Sequence, residues 1–143
     1  MNKRILSILL ALCMLLCLVP TGVFAECETA ENADITGSGT QDDPYLIYTA
    51  EGLKAFRDKA NGGERYAFAT LMNDIVLNDG SFDADGNYTA ADGSTAEPEK
   101  WTPIGTDNNQ YRGTFDGNGK TVKGLYVNTG GDEPAGLFGS TGG

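Results

Sequence analysis

Histidine is absent from all 143 residues. That excludes Ser-His-Asp and Cys-His nucleophile systems, His-based zinc sites and the HExxH metalloprotease motif within this chain. Basic residues are scarce. The 118 residues after Ala25 hold all 20 acids and only 8 of the 10 bases, a net charge of −12. So acidic a chain repels phosphate backbones and anionic lipid, which argues against nucleic acid and a membrane surface as partners. Cysteine is sparse too. Cys13 and Cys17 fall in the apolar N-terminus and leave only Cys27 beyond it, so no internal disulfide framework can form. Cys27 itself reads as an unpaired residue in a polar tail.

What the N-terminus does contain is an address. Asn2-Lys3-Arg4 is a basic start, and residues 5–19 are apolar apart from Ser7. Pro20-Thr21-Gly22 then breaks the run, and Val23-Phe24-Ala25 supplies small residues at the −3 and −1 positions of a cleavage site. This pattern predicts a secretory signal peptide over residues 1–25, removed after Ala25. Fifteen residues fall short of the roughly 20 needed to span a bilayer, so no membrane contact is expected after cleavage.

Residues 26–35 read as a flexible acidic leader, and residues 36–143 as the folded part. Thr36-Gly37-Ser38-Gly39-Thr40-Gln41-Asp42-Asp43-Pro44 is dense in turn formers, and Tyr45-Leu46-Ile47-Tyr48 suits a strand. Thr49 is placed to N-cap a helix, Glu51 complements its dipole, and Leu53, Phe56 and Ala60 form one apolar stripe. Asn61-Gly62-Gly63 ends it.

Beyond Tyr66 the pattern changes to short β segments between glycines: residues 74–78, 102–105, 113–115, 121–127 and 135–138. The apolar phase of residues 121–127 shifts at Gly124, which predicts a corner or bulge there. Asp116-Gly117-Asn118-Gly119 reads as a turn. Gly113-x-Phe115 and Gly136-x-Phe138 lie 23 residues apart, as do Ile104 and Val127. Short strands at a period in the twenties suit a β-solenoid rung, with an antiparallel hairpin domain as the competing architecture.

In order, Gly39-Thr40-Gln41-Asp42-Asp43-Pro44-Tyr45-Leu46-Ile47, Asn73-Asp74-Ile75-Val76-Leu77-Asn78, Trp101-Thr102-Pro103-Ile104-Gly105, the block from Tyr111 through Gly124 to Val127, and Ala135-Gly136-Leu137-Phe138-Gly139 resemble the run that opens a GLUG-repeat region. GLUG repeats occur in large secreted or wall-attached bacterial proteins, among them adhesin-like proteins and IgA-specific metallopeptidases. The resemblance implies a mainly β fold: an incomplete right-handed parallel β-helix with one short N-terminal helix, cut at its C-terminal end where that family continues with further repeats. It carries no catalytic residues, cofactor or metal. It implies a secreted, surface-associated, non-catalytic segment that contributes to adhesion or display. The partner would be an extracellular ligand, a glycan or a host or cell-surface component. The alternative is the N-terminal scaffold of an extracellular polysaccharide-degrading enzyme or metallopeptidase whose active site lies downstream.

Three groups of residues remain as candidates for chemistry. Asp83, Asp85 and Asn87 in the acidic loop 79–100 have the spacing with which calcium loops begin, but Tyr88 stands where the EF-hand needs Gly and Ser94 where it needs Glu. An inserted acidic turn is the simpler account. Asp74, Asp107 and Asp116 could pair as glycosidase carboxylates, although the first and last are better explained by a strand end and a turn. Trp101, Tyr111, Tyr126, Tyr45, Tyr48 and Tyr66 could stack on sugars if exposed, and an amphipathic ring serves a core equally well. Asn87-Tyr88-Thr89 matches a glycosylation sequon, which carries little meaning in a bacterial protein.

Overall fold

A computed structural model describes residues 34–131 and 134–143. The expected signal segment, most of the acidic leader and Cys27 lie outside these residues. The chain runs through β1 (Ile35–Thr36), β2 (Tyr45–Ile47), α1 (Ala50–Asn61), β3 (Phe68–Leu71), β4 (Ile75–Val76), β5 (Ser81–Phe82), β6 (Tyr88–Thr89), β7 (Thr114–Asp116) and β8 (Val122–Lys123).

The helix forms as its sequence dictates. Thr49 Oγ1 accepts the Gly52 N–H at 3.1 Å and donates to Asp34 Oδ1 at 2.8 Å, so one hydroxyl caps the helix and holds the chain entering β1. Leu53, Phe56 and Ala60 are buried. Gly52, which sequence periodicity does not mark, is buried because the helix backbone runs against the Asp34 carbonyl.

The helix stripe lies over a four-stranded sheet of order β1-β2-β3-β7. β1 pairs antiparallel with β2, whereas β2–β3 and β3–β7 are parallel. The register stacks Tyr45, Ala69 and Phe115 in one inward row, and Ile47 beside Leu71 in the next. Small Ala69 between two aromatics leaves room for Phe56 from above. Its ring meets Tyr45 at 6.1 Å, Tyr111 at 5.9 Å and Phe115 at 5.7 Å between centroids. Such tilted and edge-on aromatic contacts add to the apolar burial.

The parallel β-helix expectation is overturned. The strands are two to four residues long and lie in three separate small sheets: the four-stranded one, the parallel pair β4–β8 and the antiparallel pair β5–β6. Sheet directions are mixed, and no continuous solenoid face runs through the described residues. Two local causes are visible. Residues 79–100 do not supply a rung but fold back on themselves as the β5–β6 hairpin, turned by Asp83. The 23-residue spacing also misleads on register. Ile104 bridges to Phe138 rather than matching Val127, and the Trp101 N–H donates to the Tyr126 carbonyl at 2.7 Å. Ile104-Gly105 and the chain from Leu137 to Ser140 pair in parallel through that bridge and three backbone hydrogen bonds, too few for a strand.

Asparagines hold the parts together. Asn78 is the fullest case: its Nδ2 donates to the carbonyls of Glu99 (3.0 Å) and Gly124 (2.8 Å), and its Oδ1 accepts the Glu99 N–H at 2.7 Å. Asn61 clips Pro103 and Gly105 in the same two-way fashion, and Asn109 donates to the last carbonyls of α1. These amides satisfy backbone groups that such short strands leave without a ladder.

Tyr111 is the titratable group most committed to the core. It is 4% exposed and its hydroxyl donates to the Ala67 carbonyl at 2.8 Å. Burial pushes its phenol up to about 12. The folded chain therefore holds this proton more tightly than the unfolded chain, in which a tyrosine titrates near ~10. The associated stability is complete below about pH 10 and is lost as pH rises towards 12. Thermal unfolding should show a falling Tm across that window. Tyr111→Phe should start lower, having lost the bond to Ala67, and fall less steeply there. An equal slope in both proteins would contradict the assignment.

Candidate functional site

The aromatic residues divide into two sets. Trp101 is 3% exposed, its indole N–H donates to the Leu137 carbonyl at 3.2 Å, and the Arg57 guanidinium lies 4.9 Å above its ring. Tyr45 is buried too, with its hydroxyl on Glu64 Oε2 at 2.7 Å, and Tyr111 was placed in the core above. Three of the six candidate sugar-stacking rings are thus structural. Tyr48 is half-buried, and Tyr66 is 58% exposed beside Arg65.

The sixth, Tyr126, belongs to a surface cluster. Its ring stacks on Phe82 at 5.6 Å with an interplanar angle of 24°, and Tyr88 also packs on Phe82, at 5.1 Å and 49°. Phe82 and Tyr88 face each other across the β5–β6 pair, which the register Phe82↔Tyr88 dictates. Phe82 nevertheless remains 44% exposed. Together with Gly86, Asn87, Thr95, Ala96, Glu97 and Pro98 the rings line a cleft of about 320 Å³. That lies at the small end of the roughly 300–1,000 Å³ typical of ligand sites.

The hairpin that carries Phe82 is built by Asp83. Its carboxylate accepts the N–H groups of Asp85 and Asn87 and the Asn87 side-chain amide, each at 2.9 Å. The side-chain bond from Asn87, with the backbone bonds behind it, lowers the Asp83 pKa. This carboxylate is occupied in turning the chain. Asp92 does the same for Ser94. No group of three or more acidic, Cys or His side chains among the described residues could hold a metal ion. Within the acidic loop the Asp83 and Asp92 carboxylates are thus turned onto the loop's own amides.

Two of the three candidate glycosidase carboxylates, Asp74 and Asp116, likewise accept hydrogen bonds from the chain. Asp74 Oδ1 accepts both the N–H (2.8 Å) and the hydroxyl (3.0 Å) of Thr121, bonds that lower its pKa and tie β4 to the start of β8. Asp116 accepts the Asn118 N–H at 2.8 Å inside the expected turn, where Asn118 takes φ +48°. Asp107 lies in the turn between the bridged residues Thr106 and Asn109, beside a shallow depression of about 240 Å³.

Comparison with known proteins adds a coarse class. No protein-family model matches the chain, and no solved structure does. Two curated relatives match it. A protein of Evansella cellulosilytica named as a Gly-rich membrane protein is 35% identical over 106 residues, which are 74% of this chain and 10% of that protein. Halomucin of Haloquadratum walsbyi is 27% identical over 107 residues, 74% of this chain and 1% of that protein. The chain thus spans a tenth or less of either relative. Neither name is that of an enzyme, in agreement with the expectation that this segment is not one. They also agree, at the level of a membrane or surface protein, with the expected location outside the cell. No helix among the described residues is long and apolar enough to cross a membrane.

Phe82 and Tyr88 are the site residues that sequence reasoning missed. A signal was present. Ser81-Phe82 and Tyr88-Thr89 flank Asp83-Ala84-Asp85-Gly86-Asn87, and aromatics either side of an Asp-Gly turn mark a hairpin whose rings meet.

Proposed function

We propose that this chain is a secreted, surface-associated, non-catalytic module that contributes to adhesion or display, from a protein of the GLUG-repeat type. The observation that carries the reading is the surface cleft lined by the aromatic rings of Phe82, Tyr88 and Tyr126. The signal pattern of residues 1–25 and the net charge of −12 beyond it suit an exported, soluble surface segment. The finer localisation, at the cell wall, follows from the GLUG resemblance. Attachment tests the function. Cells that lack the protein should adhere less to a glycan-bearing surface than cells that make it, and equal adhesion would contradict the reading.

A further inference from the structure

We propose that the cleft formed by Phe82, Tyr88 and Tyr126 binds an uncharged pyranose sugar and rejects acidic ones. The inference deepens the adhesive reading above and rests on it.

The cleft presents two kinds of surface side by side. One is aromatic. Phe82 stays 44% exposed although Tyr126 and Tyr88 pack on it, and both neighbours are held at their polar ends. The Gly80 N–H donates to the Tyr88 hydroxyl at 3.1 Å, and Asn128 Nδ2 donates to the Tyr126 hydroxyl at 3.2 Å. The rings are therefore set before a ligand arrives, which lowers the ordering cost of binding. The other surface is polar: Asn87, Thr95 and Glu97 line the same cleft. Asn87 already spends its amide on Asp83, whereas Thr95 and Glu97 make no hydrogen bond with other described side chains.

A pyranose fits both surfaces. One face of the sugar ring is a patch of C–H groups with partial positive charge, which an aromatic face with its negative quadrupole attracts. Its rim is hydroxyl donors, and a carboxylate such as Glu97 accepts these in short, charge-assisted bonds. An alkyl chain or a plain apolar side chain would leave Glu97 desolvated and unpaired, which is costly. Charge decides between sugars. Uronates and other acidic sugars would meet the Glu97 carboxylate in the cleft, on a segment of net charge −12. Neutral sugars meet no such penalty.

The test is a titration of the isotope-labelled chain followed by amide shifts, using cellotriose, chitotriose, mannotriose and trigalacturonate as probes. At least one neutral trisaccharide should bind in the millimolar range and shift the amides of residues 80–88, 95–98 and 126. Trigalacturonate should bind at least about tenfold more weakly. Phe82→Ala should weaken the neutral sugar about tenfold or more, a difference equivalent to about 1.4 kcal/mol. Phe82→Leu keeps the apolar bulk of the hairpin and removes the ring face, so it should weaken binding similarly in a chain that folds as before. Tyr66→Ala, whose exposed ring lies elsewhere, should leave binding unchanged. Glu97→Gln should narrow the gap between neutral and acidic probes. Absence of shifts with all three neutral sugars, equal affinity for trigalacturonate, or full binding by Phe82→Leu would each overturn the inference. If that happens while adhesion still depends on the protein, the sugar class falls and the adhesive function stands.

Discussion

Phe56→Ala should cost about 3–5 kcal/mol of folding stability, the largest single-residue effect in the molecule. Phe56 is 0% exposed and is the one side chain that joins the helix stripe to both ends of the sheet row, Tyr45 and Phe115, and to Tyr111. Its removal leaves a cavity that the neighbours cannot close. Ala69, the smallest member of the row beneath, offers nothing to fill it, and Tyr45 and Tyr111 are tethered by their hydroxyls to Glu64 and Ala67. Domains of this size have only about 5–15 kcal/mol in total, so the variant should be near its unfolding threshold at room temperature. Urea unfolding followed by tyrosine fluorescence reads the change. A loss below about 1 kcal/mol would mean that the helix and sheet do not share one core.

The second large effect is at a glycine. Gly124 takes φ +69°, and a Cβ there would collide with the backbone of Asn78, the residue whose amide clips the Gly124 carbonyl. Gly124→Ala combines a left-handed conformation, worth roughly 1–2 kcal/mol in an L-residue, with overpacking of roughly 1–3 kcal/mol. Gly130 separates the two. It has φ +72° with open space around the Cβ position, so Gly130→Ala should show the conformational part alone. Comparing the Tm of the two variants gives the contribution of the Asn78 contact. Equal losses would show that Asn78 yields without cost.

The same two regions show how far the sequence could be read. The helix was legible because every determinant is local: Thr49 as cap, Glu51 in the first turn, and an apolar spacing that α1 buries as expected. So were the Asp116–Gly119 turn and the corner at Gly124, each betrayed by residues that tolerate left-handed φ. What the sequence did not show was pairing across distance. Phe115 and Phe138, matched by their 23-residue spacing, do touch at 5.2 Å, yet Ile104 pairs with Phe138 and not with the position the spacing suggests. β1 escaped notice because it is two residues long and owes its existence to Tyr48 and Thr49, which bond to Asp34. The parallel β-helix expectation failed for this reason. Periodicity records which residues are alike, and the strands here are too short for likeness to fix their partners.

The candidate site was half legible. Tyr126 stood among six equivalent aromatics, of which Trp101, Tyr45 and Tyr111 serve the core. Nothing in their local sequence distinguishes them, because burial of an aromatic is decided by what packs over it. The turn of the hairpin was legible; its ring pair was not. Asp83, Asp85 and Asn87 offered the start of a calcium loop beside the simpler acidic turn, and the Asp83 carboxylate builds that turn with the amides of Asp85 and Asn87.

The proposed adhesion through the Phe82–Tyr126 cleft makes a prediction at the level of whole cells. It is tested most directly by counting attached cells on a surface coated with the neutral glycan that binds best. Cells making the unaltered protein should attach, and cells lacking it should attach at background. Cells making Phe82→Leu should fall to near background while displaying the same amount of protein. Attachment by the Phe82→Leu cells equal to that of the unaltered cells would contradict the account.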